Sequence, residues 1–252
     1  MKKPVASKSR LMAVLVCAIL GFSACDDSAA DYFPLGSGSV WVYRQTIFIN
    51  NHGNSGGRET HRFVTAVTNL APRTTEQARL FPRIYADGRM LYYEEADDGI
   101  ALAAASDAYD EHFDPIAPRY VIKYPIAKGT AWEMPGETQI LRRSFLGTFG
   151  TISKPVQVEG NMEFEIQSLN DMVRVAAGTF HHCLRVQGVG KANLQWGAPY
   201  GIVVITVKTT EWYAPSVGLV KRIREESTGP GGPLGARLEE ELEAKPALGW
   251  FH

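Results

Sequence analysis

The feature that most constrains this chain is a succession of short runs rich in β-branched and aromatic residues, each closed by Gly, Asp, Asn or Pro. The clearest case is Asp87-Gly88, flanked by runs at 80–85 and 90–94 that carry Tyr85, Leu91, Tyr92 and Tyr93. Asp-Gly supplies the positive φ angles of a type I′ turn, whose twist matches that of paired strands, so this stretch reads as a hairpin. A second turn, Asp97-Asp98-Gly99, leads into a strand at 100–104. Earlier, residues 40–50 hold Trp41, Val42, Tyr43, Thr46, Ile47, Phe48 and Ile49. After turn chemistry at 51–57 the chain returns over 58–68, with His61, Phe63, Thr65 and Val67 on one face.

Further strands are expected at 120–124, 138–149, 162–167, 172–175 and 179–188, and a last hairpin joins 202–213 to 219–225 through Ala214-Pro215-Ser216-Val217-Gly218. Residues 105–118, with Asp107, Asp110, Asp114, Pro115 and Pro118, read as a surface loop. Residues 227–235 are too rich in Gly and Pro for a core element. The stretch 237–244 fits a terminal strand, with Leu238, Glu240 and Leu242 alternating, or a short helix, with Leu238 and Leu242 one turn apart. No helix-period stretch exceeds three turns. The expectation is a mainly β protein, a single antiparallel curved sheet or a partial barrel or sandwich, with few short helices.

The N-terminus fixes the compartment. Met1-Lys2-Lys3, Lys8 and Arg10 precede an apolar run at 11–22, and no acidic residue occurs before Asp26. A basic segment followed by a short apolar one is the pattern of a secretory signal peptide. The run falls short of the roughly 20 residues that span a bilayer. It ends Phe22-Ser23-Ala24-Cys25, which resembles the bacterial lipobox, with Phe22 where Leu is usual. That resemblance implies cleavage after residue 24 and lipidation of Cys25 with diacylglycerol and a further acyl chain such as palmitate, enough for a stable anchor. Asp26 and Asp27 resemble the signal that retains lipoproteins at the periplasmic face of the inner membrane; the outer membrane is the alternative. The chain divides into a signal peptide (1–24), the lipidated cysteine and tether (25–31), a β domain (32–226), and a Gly/Pro-rich linker with a C-terminal segment (227–252).

Removing residues 1–24 takes away four of 26 basic groups and none of the 27 acidic ones, leaving 22 against 27, a formal charge of −5 before histidine. A mildly acidic chain with interleaved charges is not built for nucleic acid or a polybasic membrane contact. Its only mature cysteines are Cys25 and Cys183, so with Cys25 lipidated no internal disulfide is expected.

The search for chemistry returns little. Gly53-Asn54-Ser55-Gly56-Gly57 matches G-x-S-x-G but lacks the strand-to-helix setting of a nucleophile elbow. Gly190-Lys191 fails as a phosphate loop because Arg185 and Ala192 occupy the positions needing Gly and Ser or Thr. In His181-His182-Cys183, strand alternation puts His181 and Cys183 on one face and His182 on the other, too few convergent ligands for zinc. Glu94, Glu95, Asp97 and Asp98 read as solvated turn residues. Asp107, Asp110, Glu111 and Asp114 lack the spacing of a calcium loop. No catalytic residue, metal or cofactor is assigned.

Three stretches resemble a widespread group of uncharacterised bacterial envelope lipoproteins and secreted proteins: Tyr32-Phe33-Pro34-Leu35 with Gly38, Trp41 and Tyr43; Ala177-Gly178-Thr179-Phe180 with Cys183 and Val186; and Trp212-Tyr213-Ala214-Pro215-Ser216-Val217-Gly218-Leu219-Val220-Lys221. The resemblance implies a curved antiparallel sheet, distantly similar to carriers that shield lipid acyl chains, with no catalytic residues established. Ser216 stands where Gly is common. Physically these residues read as packing and turn devices; Trp212 and Tyr213 should point to opposite faces. The functional expectation is a membrane-anchored, non-catalytic envelope protein that binds an apolar or amphipathic ligand or an envelope component. A subunit docking an envelope complex is the alternative, and a hydrolase is a third class.

Overall fold

The computed structural model describes residues 29–51, 57–75, 78–107, 114–138, 140–141, 156–197, 201–228 and 234–248. A single helical turn, α1 (Ala29–Tyr32), precedes β1 (Ser39–Asn51), β2 (Arg58–Asn69), β3 (Arg73–Thr74), β4 (Arg79–Tyr85), β5 (Arg89–Ala96), β6 (Gly99–Asp107) and β7 (Asp114–Lys123). There follow β8 (Ala131–Thr138), β9 (Val156–Val175), β10 (Gly178–Gly197), β11 (Gly201–Ala214), β12 (Gly218–Ser227) and β13 (Leu234–Leu248). They form one antiparallel sheet in the order β7-β6-β5-β4-β2-β1-β13-β12-β11-β10-β9-β8, with β3 paired to β4 alone. The sheet rolls into a barrel whose two edge strands, β7 and β8, come within reach of each other without pairing. The result is a nearly closed barrel with an unsealed seam.

Side chains alternate across this wall. Trp41, Tyr43, Ile47 and Ile49 of β1 are buried, as are Ile205, Val207 and Tyr213 of β11. The outward face carries exposed Arg44, Arg62, Glu163, Lys191 and Lys208. Charges at those positions would cost about 2–4 kcal/mol each against lipid, so the described wall is built for water on its outside. An inner belt can be followed strand to strand through the register: Ile47 opposes Leu238, then Arg224, Thr209, Gly188 and Phe164. Gly188 belongs in that belt for a steric reason. A Cβ there would lie 2.5 Å from the Phe164 ring and 2.8 Å from the Thr209 methyl.

The turn-flanked hairpins stand where the sequence puts them. Gly88 has φ 84° between β4 and β5, and the turn after β11 contains Ser216 at φ 59° and Gly218 at φ 96°. Several expectations need correction. The loop expected at 105–118 is mostly strand: β6 runs to Asp107 and β7 begins at Asp114. Pro115 and Pro118 are tolerated because β7 is an edge. Of the strand expected at 138–149, Thr138 ends β8, Ile140 and Leu141 are not strand, and residue 139 lies outside the described residues; within β8 a register shift falls between Pro135 and Glu137. Residues 142–149 lie outside the described residues. The strands expected at 162–167 and 172–175 are one 20-residue strand, β9. The segment placed beyond the domain at 227–252 contributes β13, which pairs with both β1 and β12 in the middle of the sheet. Its strand alternative holds.

The tether drawn at 25–31 is also partly built into the fold. Ala29 is fully buried and donates its N–H to the Tyr124 hydroxyl at 3.0 Å. Residues 29–35 close one end of the barrel: Tyr32, Phe33 and Leu35 are buried, and Ser216 N–H donates to the Asp31 carbonyl at 2.6 Å. Trp41 Nε1 donates to the Val217 carbonyl at 2.6 Å and the Tyr43 hydroxyl to that of Leu219 at 3.0 Å. The first and last of the three sequence motifs thus meet around this plug.

Gly218 allows that meeting, since a Cβ there would sit 3.3 Å from Pro34 on a backbone that L-residues resist. Gly218→Ala is expected to lower stability by about 1–2 kcal/mol. Ser216→Gly, which relieves a positive φ, is expected to raise it by about 1 kcal/mol. Urea unfolding midpoints of the two variants check both signs.

Candidate ligand cavity

The barrel interior is not filled. A cavity of about 470 Å³ lies above the plug and reaches the seam strands. Its volume falls within the range of small-molecule pockets, about 300–1,000 Å³. Apolar wall comes from Ile47, Leu91, Leu102, Val121, Met134 and Phe164, and aromatic wall from Tyr43, Tyr85 and Tyr93. Set into that wall are five arginines, Arg83, Arg89, Arg119, Arg222 and Arg224, against two glutamates, Glu211 and Glu240.

Most of these charges are tied to each other. Arg222 bridges Glu211 and Glu240, each at 2.9 Å, and so links β11, β12 and β13 across the inner face. Burial works to raise the Glu211 carboxyl, but Arg222, the Tyr213 hydroxyl and Arg224 outweigh it and hold it below the usual range. Burial also works against the charge of Arg222, and Glu211 and Glu240 more than restore it. Tyr213 donates to Glu211, and burial together with that carboxylate pushes its hydroxyl well above the ordinary tyrosine value. Arg224 Nε donates to Glu226 at 2.7 Å, while the other Glu226 oxygen accepts the backbone N–H groups of Ile140 and Leu141 at 3.0 Å each. That carboxylate pins the chain beyond β8 to β12. Arg89 pairs with Asp87 at 3.0 Å and lies over the Tyr85 ring.

Arg83 is held differently. It is 7% exposed, its Nε donates to Asn69 Oδ1 at 2.7 Å and its Nη2 to the Pro34 carbonyl at 3.0 Å. Its guanidinium lies over Phe33, Trp41 and Tyr93, 4.1, 4.8 and 5.3 Å from the ring centroids. Asn69 completes the clamp by donating to the carbonyls of Pro34 and Gly36.

The residues singled out in the sequence fall around the plug, not in a reactive cluster. Tyr213 is buried inside while Trp212 lies on the other face, its Nε1 donating to Asp171 at 3.0 Å. Gly178 occupies a turn at φ 135°, Phe180 is buried, and Pro215 is exposed in its turn. Cys183 is fully buried, and burial with the nearby Asp171 carboxylate pushes its thiol up to about 11. The alternation expected for 181–183 is overturned. A bulge centred on His182, at φ 55°, leaves both histidines exposed, while Cys183 and Leu184 are both buried. His182 instead meets Asn170 at 2.7 Å. Asp98 is more than a solvated turn residue, since it accepts the Tyr120 hydroxyl and pairs with Lys123 at 3.3 Å. Gly190 and Lys191 lie within β10. Cys25, Asp26, Asp27 and the Gly53–Gly56 part of the G-x-S-x-G stretch lie outside the described residues.

The motif residues Phe33, Tyr43, Tyr213 and Leu219 line the cavity, but its arginines escaped sequence reasoning. Arg222, Arg224 and Glu226 alternate along β12, but a charged alternate face reads as solvent-facing unless the topology is known.

No family model and no curated protein matches the chain. Two solved structures do. One, from Parabacteroides distasonis and assigned as a lipoprotein, is 15% identical with a TM-score of 0.41, covering 85% of this chain and 97% of its own. The other, from Bacteroides fragilis and assigned as an exported protein with a YmcC-like fold, is 13% identical with a TM-score of 0.33, covering 83% and 96%. Neither likeness is close enough to bear on function.

The lowered Glu211 carboxyl makes a pH prediction. Its stabilisation is fully present above the ordinary glutamate value of about 4.3 and is lost as pH falls through the lowered folded value. Glu211→Gln should therefore lower stability at neutral pH and flatten the acid limb of a Tm-against-pH curve, with Arg222, Arg224, Tyr213 and Glu240 left around it. An unchanged acid limb would remove Glu211 from that role.

Proposed function

We propose that this chain is a lipid-anchored envelope protein, non-catalytic, that holds an amphipathic ligand inside its rolled sheet. The observation that carries the reading is the interior cavity, apolar and aromatic over most of its wall with a few fixed charges. Pockets of that make-up orient small molecules through their polar groups and retain them through apolar contact. Nucleophile, base and oxyanion donors are not brought together in this wall, so binding explains it better than hydrolysis.

The anchor follows from the sequence. Cys25 carries the lipid, and Asp26 and Asp27 direct retention at the periplasmic face of the inner membrane. Because Ala29 is already buried, only residues 26–28 separate the lipidated cysteine from the folded body. Four residue steps of at most about 3.6 Å bring the plugged end within roughly 14 Å of the bilayer. The opposite end then faces the periplasm. A docking role for an envelope protein is the second reading, favoured by the two unpaired edges at the seam.

Two measurements test this. Cys25→Ser should abolish incorporation of labelled palmitate and release the protein into the soluble periplasmic fraction. Native mass spectrometry with lipid extraction on that soluble form should find a co-purifying lipid or other amphiphile. An empty, well-folded monomer would move the case to protein docking.

A further inference from the structure

Arg222, Arg224 and Arg89 each have a carboxylate partner, and Arg119 is engaged as well. Arg83 lines the same cavity, is nearly as buried as Arg224, and pairs with no carboxylate among the described residues. Its partners are two neutral oxygens and three aromatic rings. Taking a cation out of water without an anion leaves desolvation only partly offset. A guanidinium has five N–H donors, and the two bonds to Asn69 and Pro34 use only two of them. No Arg83 nitrogen is among the buried polar atoms left unpaired, which fits remaining donors that look into the cavity.

We propose that Arg83 is the anchor for the anionic group of the cavity's ligand, a carboxylate or phosphate borne on an apolar chain. The inference rests on the cavity reading above and adds the charge and position of the head group. Asn69, Pro34 and the ring faces fix the guanidinium from one side, so its free N–H groups present a preset fork, the geometry that carboxylate and phosphate oxygens match. Beside it the Tyr85 and Tyr93 hydroxyls lie 3.4 Å apart, further polar contacts next to the cation. The same wall offers apolar surface through Leu102, Val121, Met134, Met162 and Phe164, against which a chain can pack. Each of the other cavity cations already answers a carboxylate or another partner, so the head group is drawn to the plug end.

The test uses the mature chain carrying Cys25→Ser, which keeps every described residue, and a fluorescent polyene fatty acid beside its methyl ester. The acid should bind at least tenfold more tightly than the ester. Arg83→Gln should weaken the acid to the level of the ester while leaving the ester unchanged, and Arg83→Lys should restore part of the preference. Equal binding of acid and ester to the wild-type chain overturns the anion site while leaving the cavity reading intact. That comparison needs no variant to fold. A preference that survives in folded Arg83→Gln also overturns it. Binding of neither probe overturns the cavity reading and this inference together. Inorganic phosphate that displaces the acid at similar concentration supports the anion site and identifies a free anion as its source; displacement only by chain-bearing anions identifies an amphiphile.

Discussion

The structure depends on how a wide, rolled sheet fills its own inside. Barrels of about eight strands can be packed solid by their inward side chains, whereas wider ones leave a lumen. Here 12 strands run around the wall among the described residues, with β3 off that path, and the interior is settled by a buried ionic lattice. Arg222 ties three adjacent strands through Glu211 and Glu240, and Glu226 ties β12 to the segment that follows β8. Removing one member of such a pair strands a buried charge, typically at 3–5 kcal/mol, so these ties resist piecemeal change. They hold the wall's curvature without filling its centre.

The plug and the seam are the two consequences of incomplete closure. At one end the N-terminal segment supplies the missing apolar mass, with Phe33 packed 4.9 Å from Tyr93 and 6.5 Å from Tyr213. Along the side, the edges stay apart, and their sequence suits that: Pro115 and Pro118 in β7 and Pro135 in β8 each lack a backbone N–H to offer a partner strand. A barrel plugged at one end and unzipped along one seam keeps an unfilled interior.

The proposed anchor and the plug belong to the same part of the chain, so the proposed localisation bears on the architecture. The segment that would carry the lipid leads within three residues into the segment that seals the barrel. Lipidation at Cys25, as proposed, would make the plugged end and the bilayer neighbours by chain length alone.

Much was legible in the sequence because it is local. Asp87-Gly88 and the 214–218 turn determine their hairpins through backbone conformations available to few residues, and β-branched and aromatic runs mark the strands between them. Trp212 and Tyr213 had to face opposite ways on any strand. Non-local features were not legible. An alternation of Arg222, Arg224 and Glu226 has the same period whether it faces water or a cavity, and only the neighbours Glu211 and Glu240, delivered by other strands, decide between them. The Gly/Pro-rich approach to β13 looked like the end of the domain, yet pairing with β1 makes β13 the strand that joins the two halves of the sheet. The single inserted residue at His182 leaves both histidines exposed beside a buried Cys183. By itself the sequence determined where the chain turns and where it extends, because those depend on a few adjacent residues; the closure of the sheet, the burial of its charges and the cavity were decided only by tertiary structure, because each requires side chains far apart in sequence to meet.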